Sequence, residues 1–156
     1  MASAAIVEAY DVLGLARARE LFVEYTDWLN VDLDFQDFQQ ELATLPGGYA
    51  RPDGRLFLSM VDGQAAGCIA LRRFDAVTGE VKRMWVRPAF RGHGIARALL
   101  ARLVEEARSV PYQRLVLDTL GHMKEAIALY RAAGFRDIPP YYVNPLPNPV
   151  YLSLDL

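Results

Sequence analysis

The chain of 156 residues predicts a mixed α/β domain with helices on the faces of one sheet. Two features of the pattern predict this class. Helical spacing of apolar residues in the first third gives way to strand-like runs from Leu56 to Val86. A long helical segment, a short apolar run and a second helical segment then alternate toward the C-terminus. Strands grouped first and then interleaved with helices place the helices against a sheet.

Ala5-Ile6-Val7-Glu8-Ala9 reads as a short first strand. Ala18, Leu21, Phe22, Tyr25, Trp28 and Leu29 follow at helical spacing with one face inward. Phe35, Phe38, Leu42 and Leu45 repeat that spacing, with Asp34 as the expected N-cap and Pro46-Gly47-Gly48 as the stop. Leu56 to Val61 and Ala65 to Leu71 are strands joined at Asp62-Gly63, a tight-hairpin dipeptide. Thr78-Gly79 reads as another turn, and Glu80 to Val86 as a further strand.

Ile95, Leu99, Leu100, Leu103, Val104 and Ala107 trace the apolar face of a long helix that Pro111 prevents from continuing. Leu115-Val116-Leu117 is apolar throughout, as a buried parallel strand would be. A helix from Met123 to Ala133 closes at Gly134, and Val150, Leu152 and Leu154 alternate in a last strand. The expectation is one domain over residues 1–156, without repeat or linker.

Hydrophobic residues make up 53% of the chain and charged residues 23%, enough for a core. A formal charge of −2 points away from nucleic acid and anionic membrane as partners. Basic residues are scattered except for a cluster between Lys82 and Arg97. The lone Cys68 lies in the apolar run from Gly67 to Leu71 and reads as a small buried thiol. With one Cys and two distant His residues, His93 and His122, no metal site is expected. His93 matters for its backbone N–H, and His122 reads as solvated or structural. No apolar run approaches the roughly 18 residues of a membrane span and no leader pattern is visible, so a cytoplasmic protein is expected.

The segment from Val81 to Arg97 carries the chemistry. A strand ends at Val86-Arg87-Pro88, and the loop Arg91-Gly92-His93-Gly94-Ile95-Ala96 opens the long helix. Glycines let the backbone approach a ligand closely, and free N–H groups at a helix start suit phosphate. Arg87, Arg91 and Arg97 are placed to add charge there. The Lys-Ser/Thr ending of a P-loop is absent. A dinucleotide fingerprint is weakened because Arg97 stands where its third glycine would be. A glycine-rich turn that merely starts a helix stays open on spacing alone.

The loop is similar to the R/Q-x-x-G-x-G/A signature of the GNAT acetyltransferase superfamily. Ala126-Ile127-Ala128-Leu129-Tyr130-Arg131-Ala132-Ala133-Gly134-Phe135 resembles its second hallmark, A-x-x-L-Y-x-x-x-G-F. The resemblance covers nearly the whole chain and implies the family's fold, a mostly antiparallel central sheet with helices on both faces. It also implies acetyl-CoA as co-substrate, with no metal. Backbone N–H groups of Arg91, Gly92, His93, Gly94, Ile95 and Ala96 would wrap the pyrophosphate. Met84, Trp85 and Val86 would pair with pantetheine, one of their amides serving as oxyanion donor. Thr119, Met123, Ala126 and Tyr130 would complete the cofactor side. Met123 departs from the family, where many members carry Asn; Thr119 or His122 would have to substitute for its hydrogen bond.

For catalysis the resemblance implies Glu80 as base for the amine, directly or through water, and Tyr130 as acid for the departing thiolate. Strand alternation puts Glu80, Lys82 and Met84 on one face. A structural role for Glu80, capping a turn or pairing with an Arg, stays open beside the catalytic one. The implied reaction is acetyl transfer to a primary amine by direct attack in a ternary complex; the alternative is an acyl-CoA sensor without catalysis. The acceptor region would draw on Tyr25, Trp28, Asp32, Asp34, Tyr141, Tyr142, Asn144 and Tyr151, with the Pro-rich tail as a wall. Aromatic faces and carboxylates suit a cationic amine, so a small-molecule or amino-acid amine is the expected partner. Many relatives form dimers, so a homodimer is possible.

Overall fold

The computed structural model describes residues 4–30, 32–33 and 37–156. The elements are β1 (Ala4–Glu8), α1 (Val12–Leu29), α2 (Phe38–Thr44), β2 (Arg55–Val61), β3 (Gln64–Arg73), β4 (Thr78–Val86), α3 (Ile95–Ser109), β5 (Arg114–Leu120), α4 (Lys124–Ala132), β6 (Arg136–Asp137) and β7 (Pro149–Asp155). They form a seven-stranded sheet in the order β1-β2-β3-β4-β5-β7-β6. Every neighbouring pair is antiparallel except β4 and β5. Parallel pairing there follows from the connection: α3 carries the chain back so that β5 restarts in the direction of β4.

Period-two alternation in the central strands divides the core into two layers. Phe57, Ile69, Leu71, Val81, Leu115 and Leu117 face α3 and α4, which bury Leu99, Leu100, Leu103 and Tyr130 against them. Leu56, Leu58, Cys68, Ala70 and Trp85 face α1 and α2, which contribute Ala18, Leu21, Phe22 and Phe38. Helix α1 starts where the Asp11 side chain accepts from the Gly14 amide at 2.6 Å, and ends at Asn30 in the left-handed region (φ 54°). The expected cap Asp34 and apolar position Phe35 lie outside the described residues.

Two sequence expectations change. Thr78 and Gly79 do not form a turn; they open β4, and the turn lies just before, where the amides of Phe74 and Asp75 donate to the Thr78 carbonyl. Gly79 serves close packing instead: a Cβ there would stand 2.8 Å from side-chain carbons of Leu71 and Tyr112. The alternation of Glu80, Lys82 and Met84 also fails. Arg83 takes a left-handed conformation (φ 60°), and the β3 register slips between Cys68 and Ala70. This bulge adds one residue to β4. Glu80 and Lys82 therefore face the α2 side with Arg72, whereas Met84 packs against the α3–α4 core.

The bulge opens the sheet. Pairing of β4 with β5 runs only from Thr78–Arg114 to Glu80–Val116, while β5 continues alongside β7 to Leu120. Beyond Glu80 the edge of β4 facing β5 is unpaired, and a gap separates the two strands. Strand β6, absent from the sequence reading, is two residues long and borders β7 at the sheet edge. A segment that short carries no period to detect.

Candidate active site

An open cleft with a volume of about 740 Å³ runs between the end of β4, the start of α3 and the start of α4. Its wall on one side is Met84, Trp85 and Val86; its mouth is the loop at Arg91, Gly92 and Gly94, continuing into Ile95, Ala96 and Arg97. Gly92 and Gly94 adopt φ values of 82° and 78°, with open space where a Cβ would project. A side chain there would be strained and would fill the cleft. The first intrahelical bond of α3 runs from the Ala98 amide to Gly94, and among the described residues no backbone carbonyl accepts from the amides of residues 92–97. Those donors converge at the positive end of a helix of 15 residues. They fit a pyrophosphate.

The arginines divide their work. Arg97 is exposed and lines the cleft. Arg91 donates from Nε to the Val86 carbonyl at 3.0 Å, and its guanidinium lies over the rings of Trp28 and Trp85 at 5.3 and 4.9 Å. This stack clamps the loop onto the end of β4. Arg87 is withdrawn from any phosphate, contrary to the sequence expectation. Its guanidinium pairs with Glu24 at 2.7 Å and Glu20 at 2.8 Å on α1, and donates to the Ala65 carbonyl. It ties α1 to the sheet.

Ala126 and Met123 line the cleft on the α4 side, joined by His122, Lys124 and Leu129. Met123 and Ala126 also border a narrow tunnel of about 50 Å³, set in the gap between β4 and β5. Thr119 and Tyr130 reach this tunnel rather than the open cleft. The Thr119 hydroxyl contacts the Met123 sulfur at 3.5 Å, so Thr119 does stand beside the position that lacks the family's Asn. Tyr130 is held by an edge-on contact with Phe135, centroids 5.7 Å apart. Burial pushes its phenol far above the ordinary value, so the hydroxyl keeps its proton and remains a donor. His93 is exposed in the loop.

On the far side of the tunnel lies a groove of about 410 Å³ lined by Asp37, Arg72, Arg73, Phe74, Glu80, Lys82, Tyr141 and Tyr142. Glu80 is 2% exposed, and both its oxygens are engaged. Oε1 accepts from Arg72 Nε at 2.8 Å and Oε2 from the Tyr141 hydroxyl at 2.7 Å. It borders the groove but not the tunnel. Of the expected acceptor residues, Tyr141 and Tyr142 line the groove, while Tyr25 and Asn144 line the tunnel. Trp28 belongs to the cleft instead. Tyr151 supports the wall: it donates to the Tyr142 carbonyl at 2.8 Å and accepts from the Asn144 amide. Asp32 borders none of these cavities, and Asp34 lies outside the described residues.

Sequence reading missed Lys82 and Asp118. The two side chains are 4% and 5% exposed, with Nζ and Oδ1 3.8 Å apart. Asp118 Oδ2 accepts from the Tyr142 hydroxyl and, at 2.8 Å, from Asn144 Nδ2. The available signal was a single carboxylate inside the apolar run from Leu115 to Leu120, since a buried charge requires a partner. Cys68 is buried, donates to the Arg83 carbonyl at 3.2 Å, and has its thiol pKa pushed up by burial, which makes it inert. Among the described residues no cluster of His, Cys, Asp and Glu is arranged to hold a metal, and no helix is long and apolar enough to cross a membrane.

The family description "Acetyltransferase (GNAT) family" matches residues 15–135. The chain is 36% identical to an uncharacterized N-acetyltransferase of Schizosaccharomyces pombe, over 87% of this chain and 85% of that one. The fold is shared with an acetyltransferase from Streptococcus agalactiae (TM-score 0.82, 24% identity, 98% of each chain covered). It is also similar to a GNAT family acetyltransferase from Elizabethkingia anophelis solved with acetyl-CoA bound (TM-score 0.58, 25% identity, 67% of this chain and 77% of that one). Family match, fold and a phosphate-ready helix start beside a splayed sheet agree: the chain belongs to the GNAT family of acetyl-CoA-dependent acyltransferases.

Proposed function

We propose that the protein transfers the acetyl group of acetyl-CoA to the primary amine of a small molecule or amino acid, by direct attack in a ternary complex. The observation that carries this reading is that cleft, tunnel and groove share lining residues around the gap between β4 and β5. Met84 and Met123 line both cleft and tunnel, and Lys82 lines both tunnel and groove. A thioester from one side and an amine from the other can therefore meet between β4 and β5.

Acetyl-CoA supplies an activated acyl carbon. The chain's amides at residues 92–96 hold its pyrophosphate, the Arg91 amide being taken by the Pro88 carbonyl at 3.3 Å. The open edge of β4 at Met84, Trp85 and Val86 takes its pantetheine arm and offers an N–H to the developing oxyanion. Tyr130 donates toward the departing sulfur. Glu80, on the groove side, sets a carboxylate beside the path by which the amine's proton leaves. Tyr141, Tyr142 and Phe74 supply aromatic surface for the acceptor. A sensor that only binds acyl-CoA needs no second groove beyond the cofactor cleft, so the catalytic reading is preferred.

Calorimetric titration with acetyl-CoA tests the first half. Saturable binding is expected, weakened roughly tenfold to a hundredfold in Gly94→Trp, where a side chain is forced into a positive φ and into the cleft. Thiol release from a panel of amines tests the second half. Absence of binding to the intact protein overturns the reading; binding without thiol release from any amine supports the sensor.

A further inference from the structure

The proton lost by the amine has to be received inside the tunnel, because that is where the Tyr130 hydroxyl and the open edge of β4 meet. Glu80 does not line that space, and its two oxygens are committed to Arg72 and Tyr141. The tunnel holds other titratable groups. Arg83 is bound through Nε and NH2 to Glu41 at 2.9 and 3.0 Å, and a guanidinium does not give up its proton. Burial raises the phenols of Tyr25 and Tyr130, so neither offers a base. Asp118 spends Oδ2 on Tyr142 and Asn144, and turns Oδ1 toward Lys82.

Lys82 is different in position. Among the described residues it is the one side chain that lines both the tunnel and the outer groove. It comes from β4 just before the bulge, on the α2 side of the sheet, where β4 has parted from β5 and its side chain borders both spaces. Burial lowers its ammonium pKa to about 8, Arg83 and Arg72 add to the lowering, and Glu80 and Asp118 oppose it. Near pH 7–8 a kinetically useful fraction then carries a lone pair, as an effective general base requires.

We propose that Lys82 Nζ is the first acceptor of the proton that the acceptor amine loses, with Asp118 and Glu80 setting its charge state. The inference rests on the acetyl-transfer reading and specifies its proton path. The amine nitrogen gives one proton to Lys82 Nζ and forms the N–C bond as the C–S bond breaks. A second nitrogen proton ends on the sulfur by way of the Tyr130 hydroxyl. Lys82 then returns its proton to solvent through the groove. Glu80 is on this account a positioning residue. The groups facing Lys82 are Asp118 on β5, Glu80 and Arg83 on its own strand, Arg72 on β3, Asp37 before α2, Tyr130 on α4, and Tyr141 and Tyr142 on the loop.

The test compares kcat against pH for the intact protein, Lys82→Arg and Asp118→Asn, with acetyl-CoA binding measured on each. The intact protein is expected to show a rising limb near pH 8. Lys82→Arg keeps the positive charge but has no lone pair to offer. It is expected to bind acetyl-CoA normally, lose kcat roughly a hundredfold and lose the limb. Asp118→Asn removes a nearby anion and should move the limb to lower pH by about one unit. A folded Lys82→Arg protein that binds acetyl-CoA and retains the limb overturns the proposal. If the guanidinium does not fit, an unmoved limb in Asp118→Asn overturns it instead. An intact protein that binds acetyl-CoA but acetylates no amine overturns this inference and the acetyl-transfer reading together. Retention of the limb in Lys82→Arg overturns this inference alone.

Discussion

The cleft on one side of β4 is built from backbone, and the groove on the other side from side chains. The cleft takes its donors from one contiguous stretch, the loop before α3 and the first turn of that helix. The groove and tunnel draw on β3, β4, β5, α1, α4 and the loop before β7. Their charges are paired between elements: Arg72 on β3 with Glu80 on β4, Lys82 on β4 with Asp118 on β5, and Arg83 on β4 with Glu41 on α2. Peptide amides at a helix start bind phosphate whatever side chains surround them. If the groove takes the amine acceptor, as proposed, its particular side chains are where relatives with one fold can differ in substrate. The difference also implies unequal tolerance. The cleft should accept many side-chain changes and few backbone ones, and the groove the reverse.

The largest expected effect breaks the groove side. Glu41→Ala removes the carboxylate that pairs with Arg83, whose guanidinium is buried and also lies 5.3 Å from the Phe38 ring. A loss of about 3–5 kcal/mol of stability is expected, read by denaturant unfolding. Acetyl-CoA affinity of the folded protein should be unchanged, because Glu41 is remote from the cleft. Weakened binding would mean that the two sides are coupled.

Tyr130→Phe is the next test. Phenylalanine keeps the edge-on contact with Phe135 but removes the hydroxyl from the tunnel. Turnover should fall about a hundredfold with little change in acetyl-CoA affinity. Unchanged turnover would return Tyr130 to the core as an ordinary aromatic.

Glu80→Gln sharpens the comparison with the smallest effect. The amide retains the shape but removes an anion that holds Lys82 protonated. The limb of the pH–rate profile should move to lower pH, by about half a unit to one unit. An unaffected profile would remove Glu80 from proton handling. It would leave the acid as a purely structural partner of Arg72 and Tyr141.

Recognition from sequence worked where the determinants are local. Arg91-Gly92-His93-Gly94 and Ala126 to Phe135 are short, contiguous and tied to a helix start and a helix end, and their geometry follows from their own residues. Thr78-Gly79 was misread because a glycine in a strand for close approach has the same letters as one in a turn. Met84 was assigned to the wrong face because alternation assumes an unbroken strand. The bulge at Arg83 shows itself only in the pairing of β4 with β3.

By itself the sequence determined the fold class, the order and type of the main elements, and the glycine loop that opens α3. Each of these depends on periodicity or on a turn within a few residues. Only the tertiary structure decided which charges face one another. Lys82 and Asp118 are 36 positions apart in the numbering, and no local rule pairs them. They meet because the bulge parts β4 from β5 and leaves a gap where two buried side chains reach across. Arg87 shows the converse: a basic residue beside the phosphate loop in sequence is taken by Glu20 and Glu24 of a distant helix. Opposite charges pair with whatever the fold brings within a few ångströms, and the fold is a property of the whole chain.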